Sequence, residues 1–353
     1  MNRIIKSISA VIILMAAVSC DNDIHLCDEW SEKTIVYGML DVADTNTYLR
    51  ITKAFLGDGN AYDMAKIVDS SEYLPGEITV KMEKWLDGKL ERTYNFEPER
   101  NSDKQPGVFY SPEHLVYKCN TLGQLIVPGD STNNYKSEYD DAVFKIIVVN
   151  TSGDTVTAET KLVEPNLYVT VSRLHENPTI YKNLRFPTAI TWNTATNAER
   201  YNLKADLSVL EVMKNGDSIL RVIPRGNISN KTASSLISGD IFTIDDHPDG
   251  FFAFIEANVP YSDKNVEDNV LYRKIRLYTL NFSMAGIEFE KYLQTTRGTS
   301  ISQNQNVYSN VKNGYGLVSS RASYKFPCQV SEEVKKELFE NSKYDYLKFS
   351  NEE

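Results

Sequence analysis

The sequence has few of the residues from which metal and catalytic sites are built. Its 353 residues include only four cysteines and four histidines, and none of them falls in a CxxC or HxxxH spacing. Structural zinc sites need such spacings, so no zinc site is predicted. No GxSxG motif is present, and Gly57-Asp58-Gly59-Asn60 lacks the lysine of a phosphate-binding loop. The sequence therefore predicts a protein that is not an enzyme and that holds no cofactor.

Basic residues are also too few for a nucleic-acid partner. Lys and Arg number 38 against 48 Asp and Glu, which gives a formal net charge of −10. Residues 1–19 contain two basic and no acidic residues, so the chain without them carries −12. A basic face is needed for binding nucleic acid, and also for binding anionic lipid by charge. Neither partner is predicted, and the composition suits an exposed globular protein.

The hydrophobic segment at the N-terminus is too short to cross a bilayer. Two basic residues precede an apolar run at residues 8–18, about half of the ~20 residues that a membrane-spanning helix needs. A basic start, a short apolar run and a small-residue end are typical of a secretory signal peptide, here residues 1–19. Ser19-Cys20 is similar to the lipobox of bacterial lipoproteins, in which the cysteine is acylated. Cys20 is therefore the predicted lipid attachment residue, and because one acyl chain anchors only marginally, several are expected.

Acidic residues follow Cys20 directly. Asp21 and Asp23, on either side of Asn22, resemble the acidic export signal with which Bacteroidota send lipoproteins to the outer face of the outer membrane. A polar tether explains the same residues equally well, and both interpretations stay open. The first predicts a protein that is anchored in the outer membrane and faces the cell exterior. Residues 20–33 form the predicted lipidated tether.

Three cysteines remain once Cys20 is assigned to lipid. Cys27, Cys119 and Cys328 are odd in number, so at most one disulfide can form within the chain. Export makes a disulfide chemically feasible. The sequence does not choose the pair, and we expect buried free thiols.

β-Branched and aromatic residues recur in short runs that turn residues separate. Paired strands are predicted at residues 35–40 and 48–55, and hairpins at Asp87-Gly88 and Gly153-Asp154. About seven such strands predict a first antiparallel β-sandwich over residues 34–165. Because the chain without its signal peptide is longer than one hydrophobic core usually serves, a second domain is expected.

The remaining residues, 166–353, predict a second sandwich. Trp192 on one strand and Tyr201 at the start of the next resemble the opening of a fibronectin type III-like domain, and both rings are expected in the core. Asn215-Gly216 predicts a hairpin, and residues 251–255 are predicted as a strand. After Ser283 the pattern predicts a helix over residues 284–293, and the tail holds a glycine-containing stretch at residues 313–317 and a short predicted helix at residues 331–341. The predicted fold class is mainly β, with two antiparallel immunoglobulin-like or fibronectin III-like β-sandwich domains and a few short helices.

One acidic stretch carries a weak metal signature. Residues 245–250, Asp-Asp-His-Pro-Asp-Gly, followed by Glu256, match the EF-hand pattern except at one position. The candidate ligands are Asp245, Asp249 and Glu256. An EF-hand loop joins two helices, whereas residues 251–255 favour a strand, and a Pro-Asp-Gly turn explains the same letters. No metal is therefore predicted.

Several of these stretches together resemble a large family of Bacteroidota lipoproteins that is described only as a domain of unknown function. The likeness covers nearly the whole chain after the signal peptide and is carried by Cys20 with its lipobox, residues 34–40, Lys53-Ala54-Phe55-Leu56, Pro75-Gly76-Glu77-Ile78-Thr79-Val80, Pro106-Gly107-Val108-Phe109-Tyr110, Ala158-Glu159-Thr160, Phe289-Glu290-Lys291-Tyr292-Leu293, and Ser309-Asn310-Val311 with Gly314 and Gly316. Genes of such proteins commonly lie beside those of TonB-dependent outer-membrane transporters. The resemblance therefore implies a transporter as partner, and it implies no catalytic residues.

These features lead to two hypotheses of different classes. The first is a non-enzymatic accessory binding or assembly subunit that is anchored through Cys20 beside an outer-membrane transporter. The second is a free-standing adhesin that binds a glycan or a protein. Exposed aromatic side chains on one edge of a sandwich would favour the second hypothesis. A hydrolase ranks third and would need two converging carboxylates or a bound metal.

Overall fold

About half of the residues that the structure describes lie in β-strands. The computed structural model describes residues 33–54, 63, 65–102, 107, 113–126, 138–233, 239–296 and 307–350. The predicted signal peptide, Cys20 and all but the last residue of the predicted tether lie outside these residues, as does most of the stretch at 106–110. The prediction of a mainly β fold with a few short helices is confirmed.

Seven strands and two one-turn helices are described before residue 161. The strands are β1 Lys33–Asp41, β2 Asn46–Ala54, β3 Ile78–Leu86, β4 Lys89–Asn101, β5 His114–Asn120, β6 Val143–Asn150 and β7 Thr155–Thr160; the helices are α1 Val68–Ser71 and α2 Glu138–Asp141. Asp87 and Gly88 between β3 and β4 both have positive φ, as a type I′ hairpin turn requires. The predicted hairpins at Asp87-Gly88 and Gly153-Asp154 are confirmed.

Nine further strands and four further helices follow in the described residues. They are β8 Val169–Val171, β9 Thr179–Ile180, β10 Thr188–Asn193, β11 Arg200–Met213, β12 Ser218–Thr232, β13 Ile241–Asp246, α3 Pro248–Asn258, α4 Lys264–Asn269, β14 Val270–Ala285, α5 Ile287–Thr296, β15 Val311–Lys312, β16 Tyr315–Val330 and α6 Glu332–Glu340, with a 3₁₀ helix at Ser342–Leu347. The predicted hairpin at Asn215-Gly216 joins β11 to β12 and is confirmed. The last helix is also confirmed, because Ser331 caps its first turn by accepting a hydrogen bond from the Val334 N–H.

One hydrogen-bonded path of strands runs through both halves of the chain. Its order is β12-β11-β14-β16-β1-β2-β5-β4-β3-β6-β7-β15, and β8, β10 and β13 form a separate three-stranded sheet. β16 makes the connection, because residues 315–321 pair with β1 and residues 321–328 pair with β14. The pairing of β16 with β1 is parallel, and so is its pairing with β9. These two parallel ladders differ from the antiparallel pairing that was predicted for both sandwiches. The chain passes through the whole second half before β16 pairs with β1.

Two hydrophobic cores lie along this path. The chain passes from the first core to the second between Leu162 and Val163. Along β16, Val318 packs in the first core and Ala322 in the second. We therefore call residues 33–162 with 307–321 the first region, and residues 163–285 with 322–350 the second region. Residues 307–321 fall within the predicted second domain but pack on the first core, because β16 pairs with β1.

Both regions are layered. In the first region β4 pairs with β3 as far as Phe96 and with β5 from Glu97, so the strand passes from one layer to the other. In the second region the three-stranded sheet packs on β11, β12, β14 and β16, with the ring of Trp192 lying 5.3 Å from that of Phe282. The predicted core positions of Trp192 and Tyr201 are confirmed, since each is 1 % exposed.

The strand predicted at residues 251–255 is wrong. Residues 251–255 are not a strand but lie in α3, which begins at Pro248 and buries Phe251, Phe252 and Ile255 on one side. Proline suits the first position of a helix, so the Pro-Asp-Gly letters open a helix instead of closing a hairpin. The glycine-containing stretch at residues 313–317 leads into the sixteen-residue strand β16, which the sequence pattern did not reveal.

Candidate functional site

The outer face of the first region carries apolar and aromatic side chains. Along β1, Val36 and Leu40 point into the core, whereas Tyr37 and Met39 alternate with them and point outward. On the neighbouring strand Tyr48 and Arg50 also point outward, because Arg50 pairs with Tyr37 across the ladder. Tyr37 is 42 % exposed and Tyr48 is 44 % exposed. Where one face of a sheet borders water, the residues that point outward are normally polar. The aromatic residues on this face are therefore unusual.

Helix α5 covers one side of this face. It packs on β16, where the hydroxyl of Ser319 donates a hydrogen bond of 3.1 Å to the Glu288 carboxylate. Thr160 at the end of β7 donates to the same Glu288 oxygen at 3.2 Å. Glu290 forms an ion pair of 2.7 Å with Arg200 in the second region. The helix is thus held by both regions.

The helix and the sheet face enclose an open groove of about 480 Å³. Tyr37, Met39, Tyr48, Arg50 and Val116 form its floor, and other lining residues include Phe289 and Tyr292 of α5, Leu317 and Arg321 of β16, and Asp44. Burial, and next the neighbouring Tyr292 phenol, raise the pKa of Tyr37. The phenol of Tyr37 is therefore neutral at neutral pH, and it lies beside apolar surface in the groove.

The charged residues that line the groove are all paired. Arg50 donates to the Leu115 carbonyl at 2.6 Å and forms an ion pair of 3.0 Å with the buried Glu72. At the other end, Arg321 lies 3.2 Å from Asp41 and 3.4 Å from Asp44. Arg321 is half exposed, so its remaining donors face solvent. Mutual pairing leaves the groove without a dominant sign of charge.

The second region holds its charges inside. The Arg273 guanidinium is fully buried and contacts the fully buried Glu211 at 2.8 Å and Glu267 at 2.6 Å. Burial acts to lower the pKa of Arg273, but its hydrogen bonds to Glu267 and Glu211 outweigh it and raise this pKa. Arg273 also donates to the Leu347 carbonyl at 3.0 Å. This network therefore joins β11, β14, α4 and the C-terminal 3₁₀ helix.

A second buried network connects the two sheets of the second region. Arg225 on β12 contacts both carboxylate oxygens of Asp246 on β13, at 2.6 and 2.8 Å. The hydroxyl of Tyr181 donates to Asp246 at 2.5 Å, and Arg225 donates to the Tyr278 hydroxyl at 2.6 Å. Burial raises the pKa of both phenols well above the usual range. These groups join elements to one another and are closed to a ligand.

The predicted metal ligands are not brought together. Asp245 is exposed on β13 beside Ala189, Asp249 lies in the first turn of α3, and Glu256 forms an ion pair of 2.7 Å with Lys343. Within the described parts of the chain, no three His, Cys, Asp or Glu side chains are placed to hold a metal ion.

The remaining predicted site residues divide into two sets. Cys20, Asp21, Asp23 and Cys27 lie outside the residues that the structure describes. Cys119 and Cys328 are both buried and free, as expected, and burial raises the pKa of the Cys328 thiol to about 12. The two thiols are therefore neutral and inert at physiological pH.

The sequence pattern singled out none of the groove tyrosines for binding, so the groove was not predicted. One signal was present. Residues 35–40 are apolar at successive positions, which is typical of a strand with something covering both faces. In the described structure α5 packs mainly on β16, at one side of this face. The Tyr37 and Tyr48 rings stay partly exposed, and the Lys118 ammonium lies 5.8 Å from the centre of the Tyr48 ring.

Comparisons with known proteins identify neither a family nor a function for this chain. No protein-family model and no curated protein matches the chain. A solved structure of a tetra-tandem repeat in the extending region of a large adhesion protein is 11 % identical, with a TM-score of 0.18, over 84 % of this chain and 49 % of that one. The chain thus spans about half of that structure, and a likeness this small assigns neither fold nor function. None of the helices in the described residues is long and apolar enough to span a membrane.

Proposed function

We propose that the protein is a non-enzymatic, lipid-anchored surface protein that binds a ligand in its outer groove. The observation that carries the proposal is the exposure of Tyr37 and Tyr48 beside the wall formed by α5. Exposed apolar patches with polar rims mark interaction sites on soluble proteins. Aromatic side chains on one sandwich face also favour binding by the chain itself over a role in assembly alone. A free-standing adhesin is therefore the function that the geometry supports best.

Photo-cross-linking tests the groove without knowledge of the ligand. A benzophenone amino acid at position 48 of the full-length protein, irradiated in intact cells, should give an adduct of defined mass. The same amino acid at position 346 is the control, because Tyr346 is similarly exposed, at 51 %, but lies in the second region. Adding Tyr37→Ala should reduce the adduct at position 48. Equal adducts at the two positions, or none at position 48, would contradict the proposal.

The anchor is tested separately. The basic start, short apolar run and Ser19-Cys20 support acylation at Cys20, and Asp21 with Asp23 supports export to the outer face of the outer membrane. Cys20→Ala should abolish labelling of the protein by a fatty-acid probe. Labelling that persists in this variant would rule out the lipid assignment.

A second candidate function, an accessory subunit beside a TonB-dependent transporter, is supported by a different surface. Among the described strands β12 has a neighbour on one side only, and its Ile219, Leu220 and Val222 are exposed. An open strand edge of this kind can add a strand from a partner. Affinity purification of the tagged protein from solubilised outer membranes should recover the transporter in near-equal amount. Leu220→Lys should abolish this recovery while Tyr48→Ala does not, and recovery of the lipoprotein alone would favour the adhesin.

A further inference from the structure

The strands under the groove have no free backbone edge. β1 lies between β16 and β2, and β2 pairs with β5 only from Asn46 to Leu49. Beyond Leu49, the side chains of Arg50 and Glu72 bond the backbone carbonyl and N–H of Leu115 on β5. A peptide that binds by adding a strand needs unpaired N–H and C=O groups, which this face does not offer. A ligand in the groove must therefore be recognised by side chains alone.

Two aromatic rings form the open part of the floor. Tyr37 pairs directly with Arg50, and Tyr48 precedes Arg50 by two residues on the same face, so the two tyrosines are diagonal neighbours. Diagonal neighbours on a sheet are about 7–8 Å apart, so two adjoining rings of one ligand can contact both tyrosines. The face of an aromatic ring carries partial negative charge and attracts C–H groups of partial positive charge. Such a pair of rings suits a ligand with flat, C–H-lined faces.

The polar groups around the rings suit hydroxyl groups. Arg321 and Asp44 lie 3.4 Å apart at one end of the groove and are 53 % and 42 % exposed. Together they offer both hydrogen-bond donors and acceptors beside the rings. Each charged side chain that lines the groove already has a partner of opposite charge. A charged ligand would therefore find no unpaired side chain to neutralise its charge. The groove therefore favours a ligand that is polar but uncharged.

Resting on the proposed function, we infer that the ligand is a neutral oligosaccharide whose sugar rings stack on Tyr37 and Tyr48. Sugar rings have C–H-lined faces and hydroxyl edges, which match the rings and the polar groups of the groove. At about 480 Å³ and open at the surface, the groove has room for a short segment of a longer chain. Hydroxyl groups at the edges of the stacked sugars reach Arg321 and Asp44.

A glycan array tests this inference with the detergent-solubilised full-length protein. The array carries neutral glycans, including glucans, mannans, galactans and xylans, beside acidic ones such as polygalacturonate and heparin. We expect binding to at least one neutral class and none to the acidic classes. Binding to acidic glycans only, or to no neutral glycan, would overturn the inference.

Variants then locate the binding. Tyr37→Ala and Tyr48→Ala should each weaken the affinity for the best neutral glycan about tenfold, while Tyr48→Phe retains most of it because the ring is kept. Tyr346→Ala is the matched control and should bind like the wild type. Unchanged affinity in both alanine variants would place the glycan elsewhere and overturn the inference. A specific adduct at position 48 together with an empty array would reject the oligosaccharide but keep the groove as a ligand site.

Discussion

The two regions of the molecule differ in how deeply they bury ion pairs, because the buried Glu72 and Lys84 of the first region pair with more exposed partners. In the second region charged side chains lie inside, where Arg273 and Glu211 are completely buried and Arg225 with Asp246 joins the two sheets. In the first region the sheet face over β1 and β2 carries exposed rings. Buried charges with many partners disfavour alternative packing, whereas exposed rings add little to folding. Buried ion pairs thus fix the packing of the second region, whereas the first region carries the groove that we propose as the binding site.

The regions differ, but they are built on one strand. β16 contributes Val318 to the first core and Phe326 to the second. Close approach of β16 to β1 depends on Gly316, which has φ of +122° and whose added Cβ would lie 2.0 Å from the Val36 carbonyl oxygen. This close approach is the physical reason for a glycine at position 316, one of the residues that carry the resemblance to the lipoprotein family.

Removing the buried arginine should have the largest effect. Arg273→Ala leaves Glu211 and Glu267 without their main partner inside the protein, and should lower the free energy of unfolding by about 3–5 kcal/mol. Urea unfolding of the two proteins measures the difference. Arg276→Ala on the same strand is the control, because Arg276 is exposed and its loss should change stability by less than about 0.5 kcal/mol. Equal losses in the two variants would show that the second region does not depend on its buried charges.

Disrupting the pairing of β16 with β1 should have the next largest effect. Gly316→Ala combines backbone strain with a clash against β1 and should cost on the order of 3 kcal/mol. Gly153→Ala is the matched control, since Gly153 also has positive φ, +87°, but nothing lies within 4 Å of an added Cβ. Strain alone should cost that variant about 1 kcal/mol in the same urea titration. A smaller loss for Gly316→Ala than for Gly153→Ala would contradict the packing of β16 against β1.

The smallest expected effect concerns the helix between the regions. Burial raises the pKa of Glu288, so the folded protein keeps this proton to a higher pH than the unfolded chain does. Stability from this group is therefore complete below the unfolded pKa and is lost as pH rises through the folded pKa. Glu288→Gln removes the titration, so thermal unfolding should show the stability of the variant rising relative to that of the wild type as pH increases above about 4.3, the usual pKa of a glutamate. Parallel pH curves for the two proteins would contradict this assignment.

Local signals predicted the turns and the ends of elements well. Asp87-Gly88 specifies its hairpin because both residues tolerate positive φ, and Ser331 specifies the start of α6 by capping it. Residues 251–255 misled the prediction, because a short apolar run suits a buried helix as well as a strand. In each case the information lies within a few residues of the element.

Features that depend on distant parts of the chain were not predicted. The partner of β16 is β1, about 280 residues away along the chain, and nothing near residue 315 indicates that pairing. The groove is hidden for the same reason, since Tyr37, Tyr48 and Tyr292 meet only once α5 packs on β16. The apolar run at residues 35–40 is typical of a strand that is covered on both faces, whereas in the structure its outward side stays partly exposed at Tyr37.

The most direct test of the proposed binding groove measures how much a ligand raises the free energy of unfolding of the protein. At a concentration one hundred times its dissociation constant, the neutral glycan with the strongest array signal should raise the free energy of unfolding of the wild type by about 2.7 kcal/mol. The Tyr37→Ala/Tyr48→Ala variant should have nearly the wild-type stability without glycan and should gain almost nothing with it. An unchanged gain in this variant would contradict the account, as would a loss of stability without glycan as large as that expected for Arg273→Ala.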